Sequence, residues 1–349
     1  MRVLWWSDAH VSDVPPVMRT EGYTEDIFLK IEEIAELCVS EKVDYSLFGG
    51  DFFNSKIASR VSHNLVNRSL RTLDKFPCPI IWIVGSHDVP YGRLDLLYKR
   101  PIGTLLRHPK VKYITDTLEL SDKDINVRIF PVSDAYNNTT EEVVNALTAM
   151  KHARPLSWAT GTGSYDIAML HQPVVKDGSY PYPVIQSADL VGLSDMLLYG
   201  HMHNYVGEWE LALDGHKTTF VNVGAISRGS LDEKTLSRVP MTLLFDVSKT
   251  ESGSFRMTYK ETPLKSAKPA EQVFRLAEKQ ESVDREADIE ALLTSVKETG
   301  FAAFSSQAAV DRIKSLSYGE DESTADTTAL MHFETVKTVA VEILEELGG

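Results

Sequence analysis

Five of the ten histidines in this 349-residue chain stand in short polar groups, most with an aspartate or a second histidine, each directly after an apolar run. The groups are Asp8-Ala9-His10, Gly49-Gly50-Asp51, Gly85-Ser86-His87-Asp88, Leu170-His171-Gln172 and Gly200-His201-Met202-His203. Carboxylates mixed with imidazoles suit Mn²⁺, Fe²⁺ or Zn²⁺, and a set without cysteine disfavours a purely structural zinc centre. Asp8 and His10, two apart on an extended segment, can face one ion where the strand end twists. Gly49 and Gly50 permit a sharp turn, so Asp51 can project between two ions. His201 and His203 flank a single residue, and each can serve a different ion. Taken one at a time, these groups have ordinary readings as turns or as hydrogen-bonded core histidines. Their joint occurrence, each after an apolar run, is what favours a metal site.

The elements that must position them follow from hydrophobic periodicity. Val3–Trp6, Tyr45–Phe48 and Ile80–Val84 are predicted as buried strands. A loop with adjacent prolines (Ser12–Gly22) leads to a helix capped by Thr24, with Ile27, Ile31, Ile34, Ala35 and Cys38 at helical spacing. Val61–Phe76 and Glu141–His152 are further helices. This alternation implies a sheet covered by helices on both faces. Val127–Pro131, Asp166–Leu170, Met196–Tyr199, Thr218–Val223 and Met241–Val247 are later strands, whose closer spacing suggests a second, less parallel half of the sheet. Ligand sites in such folds gather where loops leave the carboxyl ends of strands. Thr262–Ala270, with two prolines and two lysines, reads as a linker. Beyond it, Val283–Thr299 and Thr328–Leu347 have helical patterns.

Composition is that of a globular chain, 43% hydrophobic and 25% charged. No apolar run approaches the ~20 residues that span a bilayer, and the N-terminus is too short in apolar residues for a signal-peptide core. Cys38 and Cys78 lie in apolar surroundings and are expected to stay reduced, which points to a cytoplasmic location. Net charge is −14, unlike a basic nucleic-acid-binding protein. From Glu271 onward there are 17 acidic and 7 basic residues, so the first 270 are nearly neutral. Bound phosphate would therefore draw much of its attraction from cations held by the protein.

The five groups, DAH, GGDFF, GSHD, the isolated His171 and GHMH, resemble the motifs of the calcineurin-like metallophosphoesterases. The string GGDFFNSKIASR and the Val223–Arg228 segment after GHMH resemble the SbcD-type branch, of phage or bacterial type, the nuclease subunit of a double-strand-break repair nuclease–ATPase complex. The resemblance covers residues 1 to about 250 and implies an α/β sandwich of two mixed sheets flanked by helices. It also implies a nuclease domain over 1–261 and an acidic helical capping or partner-binding segment over 262–349. Carried over by position, Asp8, His10, Asp51 and His203 would hold one ion. Asp51, the residue at 86, His171 and His201 would hold a second. Manganese is the leading ion, with magnesium, iron or zinc as alternatives. His87 would contact the phosphate and protonate the leaving oxygen, and Asp88 would orient that imidazole.

Ser86 stands where the family pattern has Asn. A hydroxyl is shorter and weaker than an amide as a ligand. The adopted reading is that a water fills the gap and Ser86 holds it; the alternative is a weakened second site. The implied activity is DNA exo- or endonucleolytic hydrolysis, with DNA, an SbcC-like ATPase and a second copy of the chain as partners. A small-molecule phosphodiesterase and a scaffold without chemistry are the competing readings. Weaker features are a Gly-rich stretch at 160–164 without a P-loop lysine, and an aromatic lip of Tyr180 and Tyr182. A basic cluster comprises Arg93, Arg100, Arg107, His108, Lys110 and Lys112. The 328–347 helix could be a docked cap or a partner helix.

Overall fold

The computed structural model describes residues 1–276 apart from 90–92, 134–138, 154–162, 179 and 181. The helices expected at Val283–Thr299 and Thr328–Leu347, and much of the Gly-rich stretch, lie outside the described residues. The first compact unit runs Met1–Phe274.

Its strands are β1 (Arg2–Trp6), β2 (Tyr45–Phe48), β3 (Ile80–Trp82), β4 (Val111–Tyr113), β5 (Leu118–Asp122), β6 (Ile125–Val132) and β7 (Tyr165–Leu170), then β8 (Val174–Val175), β9 (Ile185–Gln186), β10 (Met196–Tyr199), β11 (Gly207–Leu213), β12 (His216–Asn222), β13 (Met241–Lys249) and β14 (Phe255–Pro263). The helices are α1 (Tyr23–Ser40), α2 (His63–Leu73), α3 (Pro101–Leu105), α4 (Thr140–His152), α5 (Glu233–Ser237) and α6 (Ala270–Val273). One six-stranded sheet has the order β14-β13-β1-β2-β3-β4 and the other β11-β12-β10-β7-β6-β5. The architecture is thus an α/β sandwich of two mixed sheets.

Alternation along the strands explains the layering. Leu4 and Trp6 of β1 pack with Ile27, Ile31 and Ile34 of α1, whereas Val3 and Trp5 turn to the opposite core. That second core is shared between the sheets, since Ile167, Met169, Met196 and Leu198 point into it. Ala168, Leu170, Leu197 and Tyr199 face outward onto Val143 and Leu147 of α4. Central strands buried on both faces must be apolar at successive positions, which is why these runs stand out in the sequence.

Several expectations are corrected. Of the later strands, the one expected at Met241–Val247 joins the first sheet as β13, antiparallel to β1, whereas those expected at Val127–Pro131, Asp166–Leu170, Met196–Tyr199 and Thr218–Val223 form a second sheet of their own. It is no less parallel: β6–β7, β7–β10 and β10–β12 run parallel, as do β1–β2, β2–β3 and β3–β4. Helix α1 starts one residue before Thr24, whose hydroxyl donates to the Ser12 carbonyl at 2.5 Å rather than capping the helix. Helix α2 is shorter than expected because Ser62 caps it, accepting from Leu65 N at 3.0 Å. The stretch read as a linker is packed: Pro263 ends β14, Leu264 and Ala270 are buried, and the amides of Lys265 and Ser266 donate to Glu33.

A buried cationic cluster lies beneath α1. Lys30, Arg19, Arg228 and Arg238 are all buried, with Asp26 as the buried acid among them. Burial, and then the guanidinium groups of Arg19 and Arg228, push the Lys30 ammonium down to about 7 from an ordinary 10.5. Between those two pH values the unfolded chain binds more protons than the folded one, so this residue's contribution to stability is lost as pH falls from 10.5 to about 7. In urea denaturation between pH 8 and 10, the unfolding free energy of wild type should rise relative to Lys30→Met by about 1.4 kcal/mol per pH unit. Parallel curves for the two proteins would refute the depressed ammonium.

Candidate metal centre

Parallel pairing sets the strand ends level. Trp6 lies opposite Phe48, and Phe48 opposite Trp82; Leu170 lies opposite both Val132 and Tyr199. The loops after β1, β2 and β3 therefore leave one edge of the first sheet together, and those after β7 and β10 leave one edge of the second. Hydrogen bonds stitch them: Asp8 N donates to Gly50 O at 3.1 Å, His10 N to Asp51 O at 3.0 Å, and Gly200 N to Leu170 O at 2.9 Å.

Glycine lets these loops touch. Gly50 has a φ of 97°, and a Cβ there would lie 2.6 Å from Gly85 N and 2.9 Å from His171 Nδ1. A Cβ on Gly85 would lie 2.6 Å from the His171 ring. Strain collects at the same place. Asp8, His10, Asp51 and His201 have φ of 56°, 47°, 57° and 71°, a region that costs a non-glycine residue about 1–3 kcal/mol. The surrounding bonds hold them there. Ser227 donates its amide and its hydroxyl to Asp8 O, and Arg238 donates to the carbonyls of Ala225 and Ser227.

Four of the expected ligands converge. One ligand atom from each of Asp8, His10, Asp51 and His203 falls within 4.8 Å of all the others. The Nε2 atoms of His10 and His203 are 2.9 Å apart, and His203 Nε2 is 3.6 Å from Asp8 Oδ1. His10 Nε2 is 3.8 Å from both Asp8 Oδ1 and Asp51 Oδ2. Asp8, His10 and Asp51 are buried, whereas the His203 side chain is 44% exposed and marks the open side.

His171 reaches Asp51 from another direction. Its Nδ1–H donates to Gly49 O at 2.7 Å, and its Nε2 lies 3.2 Å from Asp51 Oδ2, buried and without an aligned hydrogen bond. Ser86 Oγ donates to Asp51 Oδ2 at 3.3 Å. The His201 ring packs edge-on against His171, centroids 5.4 Å apart, while its backbone amide donates to Asp8. Asp51 is thus the side chain common to both halves of the cluster. Oxygen and imidazole donors facing one another, with a buried imidazole nitrogen left unpartnered, fit a divalent cation.

Electrostatics agree. Burial would raise the Asp8 carboxyl, yet His10, His171 and His203 outweigh it and hold it down to about 2. Burial likewise opposes ionisation of Asp51, and His171 and His10 drive its carboxyl well below the usual range. Burial alone would lower His171, but Asp51 and Asp8 push it up to about 10. Two buried carboxylates here are balanced by imidazolium, a charge that a bound cation can replace.

His87 stands at the rim. Its ring centroid is 4.8 Å from that of His10, and its amide donates to Asp51 Oδ1 at 2.7 Å. Nδ1 is 2.6 Å from Asn54 O; a carbonyl only accepts, so Nδ1 carries the proton and Nε2 is left for the site. Burial lowers the imidazole below its ordinary value. The expectation for Asp88 is corrected. Its carboxylate accepts the amides of Asp51, Phe52 and Gly85 at 2.9, 3.1 and 3.0 Å, which clamps two site loops together and leaves the imidazole to Asn54. Burial and the adjacent Asp51 push the Asp88 carboxyl up to about 7.

Sequence reasoning missed four supports. Ser7 donates to Asp8 Oδ2, Tyr23 OH to His10 O at 2.8 Å, and Asn222 Nδ2 to the carbonyls of Tyr199 and Met202 at 3.0 and 3.1 Å, fixing the GHMH loop. The fourth is the Asn54 carbonyl. The expected basic cluster disperses: Arg93 pairs with Asp95, Arg107 lies over Tyr98, and His108 pairs with Asp74. Tyr180 and Tyr182 are exposed, with ring centroids 5.8 Å apart.

A two-sheet sandwich with this cluster at its strand ends defines a metal-dependent phosphoester hydrolase. The family described as calcineurin-like phosphoesterase matches residues 1–205, and the chain belongs to it. The double-strand break repair protein MRE11 of Encephalitozoon cuniculi is 25% identical over 239 residues, covering 58% of this chain; the chain spans 39% of that relative's length. Among solved structures, TT1561 of Thermus thermophilus aligns with a TM-score of 0.42 and 13% identity, covering 74% of this chain and 97% of that one. The Plasmodium protein GAP50, described as the anchor in the inner membrane complex, gives the same TM-score and identity with 77% and 86% coverage. Among the described residues no helix is long and apolar enough to cross a membrane.

Proposed function

We propose that this chain is a two-metal nuclease that hydrolyses phosphodiester bonds in DNA ends during repair or recombination, with manganese as its working ion. The observation that carries it is the convergence of Asp8, His10, Asp51 and His203 on one point with His171 behind Asp51. Asp8, His10, Asp51 and His203 would hold one ion; Asp51, His171 and His201 would hold the other, with Ser86 contributing through a water. When bound, such a pair supplies Lewis acidity toward phosphoryl oxygens and makes attacking water more acidic. The residues do the rest. His87 presents Nε2 toward the phosphate, takes up a proton as the anion docks, and delivers it to the leaving oxygen. Asn54 O keeps the tautomer by accepting Nδ1–H. Asp88 keeps the loops of Asp51 and His87 in register.

Similarity to a double-strand break repair protein supports DNA as substrate. On the same resemblance, residues 262–349 serve partner binding, the partner being an ATPase of the SbcC type, and two chains pair in the cytoplasm. A small-ester phosphodiesterase is the second reading, favoured by the net charge of −14. Linear plasmid, single-stranded DNA and bis(4-nitrophenyl) phosphate incubated with the protein in Mn²⁺, with His87→Ala as control, separate the two. Cleavage of all three supports the nuclease; turnover of the small ester alone rejects it.

Ser86 gives a further expectation. Because a water can complete the coordination that Asn would supply, the Mn²⁺ concentration for half-maximal activity should differ between wild type and Ser86→Asn by less than about threefold. A drop of about tenfold in the variant would show a weakened second site instead.

A further inference from the structure

The loop that fixes His87 also builds a cavity beside it. The chain between β2 and α2 contributes Asn54, Ser55, Lys56, Ile57 and Arg60, which with His87 and Arg100 line a cavity of about 350 Å³. Three cations face it, Lys56, Arg60 and Arg100, and among the described residues no acidic side chain lines it. Arg60 is exposed, and Lys56 and Arg100 are half-buried. Among the described residues none of the three has an ion-pair partner. Nearby cations behave otherwise: Arg68 is matched by Glu25 at 2.6 Å, Lys75 by Glu32 at 2.8 Å and Arg93 by Asp95 at 2.7 Å. In a chain of net charge −14, three unmatched cations around one concavity that shares His87 with the reactive centre select an anion. Guanidinium and ammonium donors in that arrangement suit phosphate oxygens.

We propose that this cavity is a subsite for a second phosphate of the substrate, one linkage away from the phosphate that is hydrolysed. This rests on the phosphodiesterase chemistry proposed above. It narrows the substrate class to nucleotides carrying phosphate on both sides of the sugar, of which a polynucleotide strand is the extended case. His87 faces the reacting phosphate, and Lys56, Arg60 and Arg100 hold its neighbour.

The test compares thymidine 5′-(4-nitrophenyl phosphate) with the same ester bearing an added 3′-phosphate, both in saturating Mn²⁺. Wild type should favour the doubly phosphorylated ester by about tenfold in kcat/KM. The ratio should fall to about one in Lys56→Ala/Arg60→Ala/Arg100→Ala and below one in Arg60→Glu, where repulsion replaces attraction. Lys123→Ala, in the β5–β6 turn, should keep the wild-type ratio. Because each ratio is internal to one protein, partial loss of active enzyme does not alter it. A wild-type ratio of one, or a ratio that survives the triple substitution, overturns the subsite even if the protein cuts DNA. An intact, substitution-sensitive ratio in a protein that leaves linear plasmid uncut supports the subsite and rejects the DNA reading.

Discussion

Asp51→Asn should lower kcat/KM by about a thousandfold or more, because it removes the charge common to both halves of the cluster. Its Oδ2 stands 3.8 Å from His10 Nε2 and 3.2 Å from His171 Nε2, and its Oδ1 accepts the His87 amide at 2.7 Å. An amide in that place cannot satisfy both sides. With its NH₂ toward the imidazoles it presents a donor where a cation should sit. Flipped, it confronts the His87 N–H with a second donor. The loss should therefore appear in metal binding as well as in turnover: wild type should bind two Mn²⁺ per chain by titration calorimetry and Asp51→Asn fewer. Circular dichroism distinguishes this from unfolding. A folded Asp51→Asn that binds two ions and keeps a tenth of the activity would remove Asp51 from the bridging role.

His87→Ala should behave differently. The hydrogen bond that ties His87 to Asp51 runs through the backbone amide, which alanine retains. Metal stoichiometry should stay at the wild-type value, while kcat on DNA falls by about 10²–10⁴, the usual worth of a positioned general acid. The decisive comparison is between leaving groups. A 4-nitrophenolate departs readily without a proton, whereas a sugar alkoxide does not. The drop on the chromogenic ester should thus be much smaller than on DNA. Equal losses on both substrates would mean that His87 binds phosphate without donating a proton. The Asn54 carbonyl adds a constraint, since it leaves only Nε2 available for that transfer.

Much of this arrangement was legible in the chain because burial and chemistry write themselves into residue types. Strands β2 and β10 have the bounds that their apolar runs predict, and β1 differs by one residue. The edge strands β4, β5, β11 and β14 escaped notice because one of their faces meets solvent and their apolar runs are broken. The polar groups after the central strands were visible for the converse reason: aspartate and histidine at the end of a buried run need a purpose. Ser86 was equally visible as a departure from the family pattern.

What the chain alone determined was which side chains could bind a cation and that each follows a strand. Tertiary structure decided how they are held. Strand β1 is inserted between β2 and β13, a partner more than two hundred residues distant, and β5–β7 and β10–β12 form a separate sheet packed against it. The packing of the two sheets, with His201 N donating to Asp8 and Ile226 N to Ser7 O, brings His203 to Asp8. The assignment of Asp88 to backbone amides and of His87 to a backbone carbonyl was likewise settled in space. Every residue but proline has the same amide and carbonyl, so contacts made through them have no signature in residue identity.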